Sequence, residues 1–165
     1  MTNPTRLFLH AVLFVAGFLM PHRVVHGQAK NENFSLLDDF EKNKNSFKRD
    51  TFSLPEISND GGQVVTFNAP EKKVKVFALQ LFGQPGKLHY LFVTDKDSNL
   101  KLVEQMEYEY HKTGGKDNYE VVKKITFYLF DGISLNVYDE DRTLIKENDA
   151  KKREKIEKLF QQAKR

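Results

Sequence analysis

Residues 100–111 read LKLVEQMEYEYH, and along this stretch the side-chain chemistry changes at almost every second position. Leu100, Leu102, Met106, Tyr108 and Tyr110 fall on one side. Lys101, Gln105, Glu107, Glu109 and His111 fall on the other, with only Val103 and Glu104 out of step. A period of two is that of a β-strand, whose successive side chains point to opposite faces. One packed and one solvated face is the mark of an antiparallel sheet covered on a single side, so the Lys101, Gln105, Glu107 and Glu109 face is expected to be wet.

Outward from this strand, Gln63–Asn68, Lys73–Phe82, Lys87–Thr94, Val121–Phe130 and Ile133–Tyr138 are also rich in β-branched and aromatic residues. Together they predict six strands. Short breaks at Gln84, Pro85, Gly86 and at Asp131, Gly132 make neighbouring strands antiparallel. The second strand is apolar on both sides, with Phe77, Leu79 and Leu81 opposite Val74, Val76, Ala78 and Phe82, which marks it as central or helix-covered.

The flanks carry a helical period. Ser35 precedes Leu36, Leu37, Phe40 and Phe47, with Asp38 three residues on, as in a capped amphipathic helix. Residues 52–59 contain Pro55 and no clear period, and are expected to form an extended connector closed by the turn Asn59, Asp60, Gly61, Gly62. Near the C-terminus, Asn148 is the expected N-cap of a helix carrying Ile156, Leu159, Phe160 and Ala163, with Glu154 and Lys158 as a supporting pair. The expected fold is α+β: a twisted antiparallel β-meander of about six strands with N-terminal and C-terminal helices packed on it. A closed lipocalin-like barrel is the alternative, but the Gly-x-Trp signature of that family is missing.

Ahead of this domain, Arg6 is followed by Leu7–Met20, a run without a charged side chain that Pro21, His22 and Arg23 end. A membrane-spanning helix needs about 20 apolar residues, so the run predicts a cleaved signal peptide over residues 1–27 and no stable membrane anchor afterwards. Val25 and Gly27 suit signal peptidase and place the mature terminus at Gln28; cleavage after Ala29 is the alternative. The mature chain, 28–165, is expected to be one exported domain, periplasmic or extracellular. It divides into an N-terminal helix and connector (28–60), the meander (61–145) and the C-terminal helix (146–165).

Composition narrows the chemistry. The chain has no cysteine, which excludes disulfides, thiolate metal sites and thiol nucleophiles. Of 26 Lys and Arg against 23 Asp and Glu, Arg6 and Arg23 leave with the signal segment, so the mature chain is close to neutral. That balance argues against a nucleic-acid partner. The two histidines of the mature chain, His89 and His111, accompany no Gly-x-Ser-x-Gly elbow and no His-Glu-x-x-His spacing, and are expected to be structural. Asp95, Asp97 and Asn99 begin like a calcium loop. Leu100 and Met106 stand where such a loop needs Gly and Glu, which leaves a charged hairpin turn. Asp139, Glu140 and Asp141 are a second acidic turn, Gly114 and Gly115 a plain one, and Asn33, Phe34, Ser35 matches a glycosylation sequon. No cofactor, metal site or catalytic set is expected.

Tyr90, Leu91, Phe92 recurs as Tyr128, Leu129, Phe130, each followed by a turn and an alternating apolar strand. This unit, over about residues 61–138, resembles the Tyr/Phe-rich hairpins of uncharacterised exported bacterial proteins of the Bacteroidota type, and more loosely MORN-like repeats. The resemblance implies a β-meander with flanking helices and no transferable activity. Tyr90, Phe92, Glu104, Met106, Tyr108, Tyr110, Tyr128 and Phe130 are the candidate binding residues, expected to share one inward row that is either core or ligand groove. The expected function is a non-catalytic binding or accessory protein, its partner a protein or a small apolar ligand. A carrier of a small apolar ligand in an aromatic-lined groove is the alternative, and a cavity of roughly 300 Å³ or more with apolar walls would favour it.

Overall fold

The computed structural model describes residues 32–69, 74–83, 86–112 and 119–164. The expected signal segment, the mature terminus at Gln28 and the turn at Gly114 and Gly115 lie outside these residues. The described chain forms helix α1 (Glu32–Asn43), eight strands and helix α2 (Ala150–Ala163). The strands are β1 (Lys48–Ser53), β2 (Gly62–Ala69), β3 (Val74–Gly83), β4 (Gly86–Thr94), β5 (Leu100–Lys112), β6 (Tyr119–Asp131), β7 (Ser134–Tyr138) and β8 (Leu144–Lys146). They pair in sequence order, every neighbour antiparallel. The meander is therefore open, with β1 and β8 as its edges.

Two of the eight strands were not expected. β1 takes over the start of the stretch assigned to a connector, and its polar run Lys48–Ser53 has no apolar alternation because it is an edge whose side chains are largely exposed. β8 is three residues long and wholly exposed, too short to show a period.

Each face of the sheet carries one helix, so the one-sided reading is corrected. On α1 the acidic Glu32 in the first turn and Lys42 in the last suit the helix dipole, and Phe34, Leu37 and Phe40 are buried. The Ser35 hydroxyl donates to the Glu32 carbonyl from inside the first turn, so Ser35 is not the cap, and Phe47 lies beyond the helix after a 3-10 turn while remaining buried. The Phe34 ring meets Phe127 of β6 and Tyr138 of β7 edge-on at 5.3 and 5.5 Å, and the Phe40 ring meets Phe67 of β2 at 5.1 Å. Helix α1 thus crosses the sheet from β7 to β2.

On the opposite face, Asp149 caps α2 by accepting a hydrogen bond from the Lys152 amide, while the expected cap Asn148 takes a left-handed φ of 52° one residue earlier. Arg153 bonds the Ser134 carbonyl of β7, and Phe160 packs against Phe77 of β3 and Phe92 of β4 at 5.7 and 5.5 Å. Helix α2 runs in the same sense, from β7 towards β3. Ile156, Phe160 and Ala163 recur one turn apart and are its buried stripe. The Glu154 to Lys158 pair was expected to brace this helix; the ion pair formed is Arg153 with Glu157, 2.8 Å apart.

Candidate functional site

Pairing places Val103 opposite both Phe92 and Tyr128, so these three share the α2 face. Glu104 stands opposite Leu91 and Phe127, on the α1 face. The eight candidate residues therefore do not form one row. Tyr90, Phe92, Tyr128 and Phe130 are all buried in the core under α2, with Phe92 fully enclosed. Glu104, Met106 and Tyr108 lie across the sheet from them, and Tyr110 continues β5 in register with Val121. The two hairpins are also offset: Phe92 aligns with Tyr128, one step short of Phe130.

The irregularity lies between Val93 and Thr94. There the register steps from Leu102 to Leu100, so Lys101 is an extra residue. Leu102 then faces the α1 core while Leu100 packs against the α2 core, although both were expected on one side.

Strands β3 to β6 extend past both helices, and there the sheet shows two different surfaces. On the α1 side two cross-strand rows run Gln80, His89, Met106, Ile125 and then Phe82, Lys87, Tyr108, Lys123. The Lys87 ammonium stacks 4.7 Å from the centre of the Tyr108 ring. His89 is half-buried; that burial first, and the Lys87 charge second, lower its pKa and keep the imidazole neutral at pH 7. Glu104 is one row further in. Burial first, then Glu41 of α1, raise its pKa, against the opposing charges of Lys123, Arg142 and Lys44. Arg142 is itself held by a two-pronged hydrogen bond to Asp38 and lies 4.6 Å from the Phe34 ring centre.

On the α2 side the corresponding rows are Leu79, Tyr90, Gln105, Thr126 and then Leu81, Leu88, Glu107, Lys124. Here the sheet ends in a cleft of about 460 Å³ that takes in Leu81, Leu88 and Glu107 from this side, Phe82, Lys87 and Tyr108 from the α1-side row, and also Ser58 and Glu109. The connector between β1 and β2 supplies one wall. It is pinned by the Leu54 amide to the Gly62 carbonyl at 2.8 Å and by the Phe82 amide to the Gly61 carbonyl at 3.2 Å, and the Ser58 hydroxyl bonds the Gly61 carbonyl. At the opposite end of the cleft, β4 and β5 approach so closely that a Cβ on Gly86 would meet the Tyr108 carbonyl oxygen at 1.9 Å. Only glycine fits there. Leu81, Leu88 and Ser58 were not among the expected site residues. Alternation in the second strand places Leu81 on a face, but where α2 ends on that face is a tertiary fact.

A second cleft, of about 750 Å³, lies between α2 and the β4–β5 loop, with Lys101, Arg153, Lys158 and Lys164 facing Glu154 and Glu157. Three of these four cations are engaged locally: Lys101 with Asp95 at 3.4 Å, Arg153 with Glu157, and Lys164 over the Phe160 ring. The Asp95 carboxylate accepts from the amides of Asp97 and Asn99, each at 2.9 Å, so it closes a turn rather than opening towards an ion. Comparison of the chain with protein-family models, with curated proteins and with solved structures finds no match.

Proposed function

We propose that this chain is a non-catalytic binding protein acting outside the cytoplasm after loss of residues 1–27, with its ligand seat in the cleft beyond the end of α2. The observation that carries this reading is the cleft itself: about 460 Å³ floored by Leu81 and Leu88, within the range of small-molecule sites of about 300–1,000 Å³. Of the aromatic row, Tyr90, Phe92, Tyr128 and Phe130 are packed core, while Tyr108 borders the seat. A small, largely apolar molecule is the ligand class that such walls hold.

The test uses N-phenyl-1-naphthylamine, a neutral apolar dye that fluoresces when it leaves water. Wild type should bind it, and Leu88→Trp, which fills the cleft, should lose binding while keeping a cooperative melt. A wild type that ignores the dye, or a Leu88→Trp variant that binds it equally well, defeats the reading.

The accessory-protein reading draws on the other surface. The row Phe82, Lys87, Tyr108, Lys123 alternates rings with ammonium groups beyond the reach of α1, and Phe82 is 40% exposed. A protein partner would be met there. Lys123→Glu would then weaken partner binding and leave dye binding intact.

A further inference from the structure

The rows Gln80, His89, Met106, Ile125 and Phe82, Lys87, Tyr108, Lys123 form a strip of sheet that α1 does not cross. Each row takes up about 6.6 Å of strand length, and the two together about 13 Å. A helix with its side chains is about 10–12 Å across, so the strip has room for one more helix alongside α1. Its four strands, about 4.8 Å apart, match the length of about three helical turns.

The strip is apolar and basic. Phe82 is 40% exposed, and Val121, one step further out on β6, is 52% exposed. Lys87 and Lys123 stand on either side of Tyr108 in the register, and the Lys87 ammonium rests on the Tyr108 ring. Neither lysine forms an ion pair among the described residues. The two rows hold no carboxylate: alternation sends Glu107 and Glu109 to the opposite face, and Glu104 lies one row further in. Glu41 of α1, whose charge reaches His89, is paired with Lys44 at 2.6 Å.

We infer that the partner met on this strip is an acidic amphipathic helix, which lies alongside α1 with its apolar stripe on Phe82, Met106, Tyr108 and Ile125 and its carboxylates at Lys87 and Lys123. This rests on the reading that a protein partner is met on the α1-side surface. A basic helix would set its ammonium groups against two lysines, and a purely apolar one would cover them without pairing them, which costs free energy. An anionic lipid surface would gain only about 1 kcal/mol from each of the two lysines, and it would make no use of the helix-sized width.

The probes are two lactam-stapled helical peptides of about three turns that share a leucine stripe, one flanked by glutamates and the other by lysines. Each is titrated into nitrogen-15-labelled protein while the amide shifts are followed. The acidic peptide should bind about tenfold or more tighter than the basic one and should move the Met106 and Ile125 amides. Lys123→Glu should reverse the preference with the circular dichroism of wild type retained; Lys87 also borders the cleft and is left in place. Equal affinities for the two peptides, or a preference that Lys123→Glu leaves unchanged, overturn the acidic helix while the surface stands as long as those amides move. If neither peptide moves them, the surface reading falls as well. Phosphatidylglycerol vesicles that shift these amides when the acidic peptide does not would give the strip to a lipid surface, and shifts that depend on protein concentration alone would give it to a second copy; either result overturns the inference.

Discussion

The Tyr128 hydroxyl donates a 3.0 Å hydrogen bond to Oε1 of Gln105, joining β6 to β5 on the diagonal under the N-terminal end of α2. Burial first, and then the charges of Tyr90, Glu107 and Asp149, push the phenol up to about 12. An unfolded tyrosine ionises near pH 10, so between those values the native state keeps a proton that the unfolded state has lost. Stability therefore falls as pH rises through this window. Tyr128→Phe should cost about 1 kcal/mol at pH 7 for the lost hydrogen bond, and should show a shallower decline above pH 10. Urea melts at neutral and alkaline pH test this; parallel curves for both proteins would refute it.

Glu104 supplies a second titration of the same sign. It stands on the α1 face opposite Leu91 and Phe127, and burial raises its pKa. The native state binds the proton more tightly than the unfolded state does, so the carboxyl is least costly below its unfolded pKa and becomes a liability as pH rises through the folded value. Glu104→Gln should melt higher than wild type at pH 8, and the gap should close by pH 4. A constant gap across that range would show that ionisation is not the cause.

Phe92 and Phe130 separate core from rim. Phe92 is fully enclosed between the Tyr90 and Phe160 rings, whereas Phe130 lies under Arg153 beside the 750 Å³ cleft. Phe92→Ala should cost about 3–5 kcal/mol, because the space it leaves cannot fill with water. Against a total stability of about 5–15 kcal/mol that nearly unfolds the domain. Phe130→Ala should fall at or below the low end of that range, since solvent reaches its site. Denaturant midpoints decide the order, and a more damaging Phe130→Ala would contradict it.

Glu107 and Lys124 are directly opposed in the β5–β6 register. Glu107→Lys sets two ammonium groups face to face, which should cost about 0.2–1 kcal/mol, and adding Lys124→Glu should restore most of it. The four-member mutant cycle measures the coupling. A cycle that sums to zero would mean that the pair does not interact.

The alternation in residues 100–111 and the short turns reveal the meander, because side chains of a strand point to opposite faces with a period of two whichever faces are covered. β1 and β8 escape that logic: an edge strand is defined by having a neighbour, and Lys48–Ser53 gains one only when β2 folds beside it. The row of candidate residues fails at a single extra residue. A bulge at Lys101 shifts Leu100 onto the other face from Leu102, and a one-residue shift moves every later side chain across the sheet. Val103 and Glu104, the two positions out of step in the sequence, lie in regular register beyond the bulge, Val103 buried under α2 and Glu104 on the α1 face. Glu104 lies at the inner margin of the uncovered α1-side rows, while the cleft on the reverse side depends on the reach of α2 and is written in no local pattern.

A chain in which every strand pairs with the next can assemble by successive hairpins, closing only short loops, and such local topologies fold fast for their size. Pairing alone leaves such a ribbon free to twist and splay, since nothing in it ties its distant strands together. The two helices are the cross-ties. Each is contributed by one end of the chain and spans from β7 to β2 or β3, one on each side, as a pair of battens stiffens a sail. The strand ends beyond the battens lack that cross-tie, and hydrogen exchange should find weaker protection at Leu81, Leu88 and Lys124 than where β4, β5 and β6 pass beneath both helices.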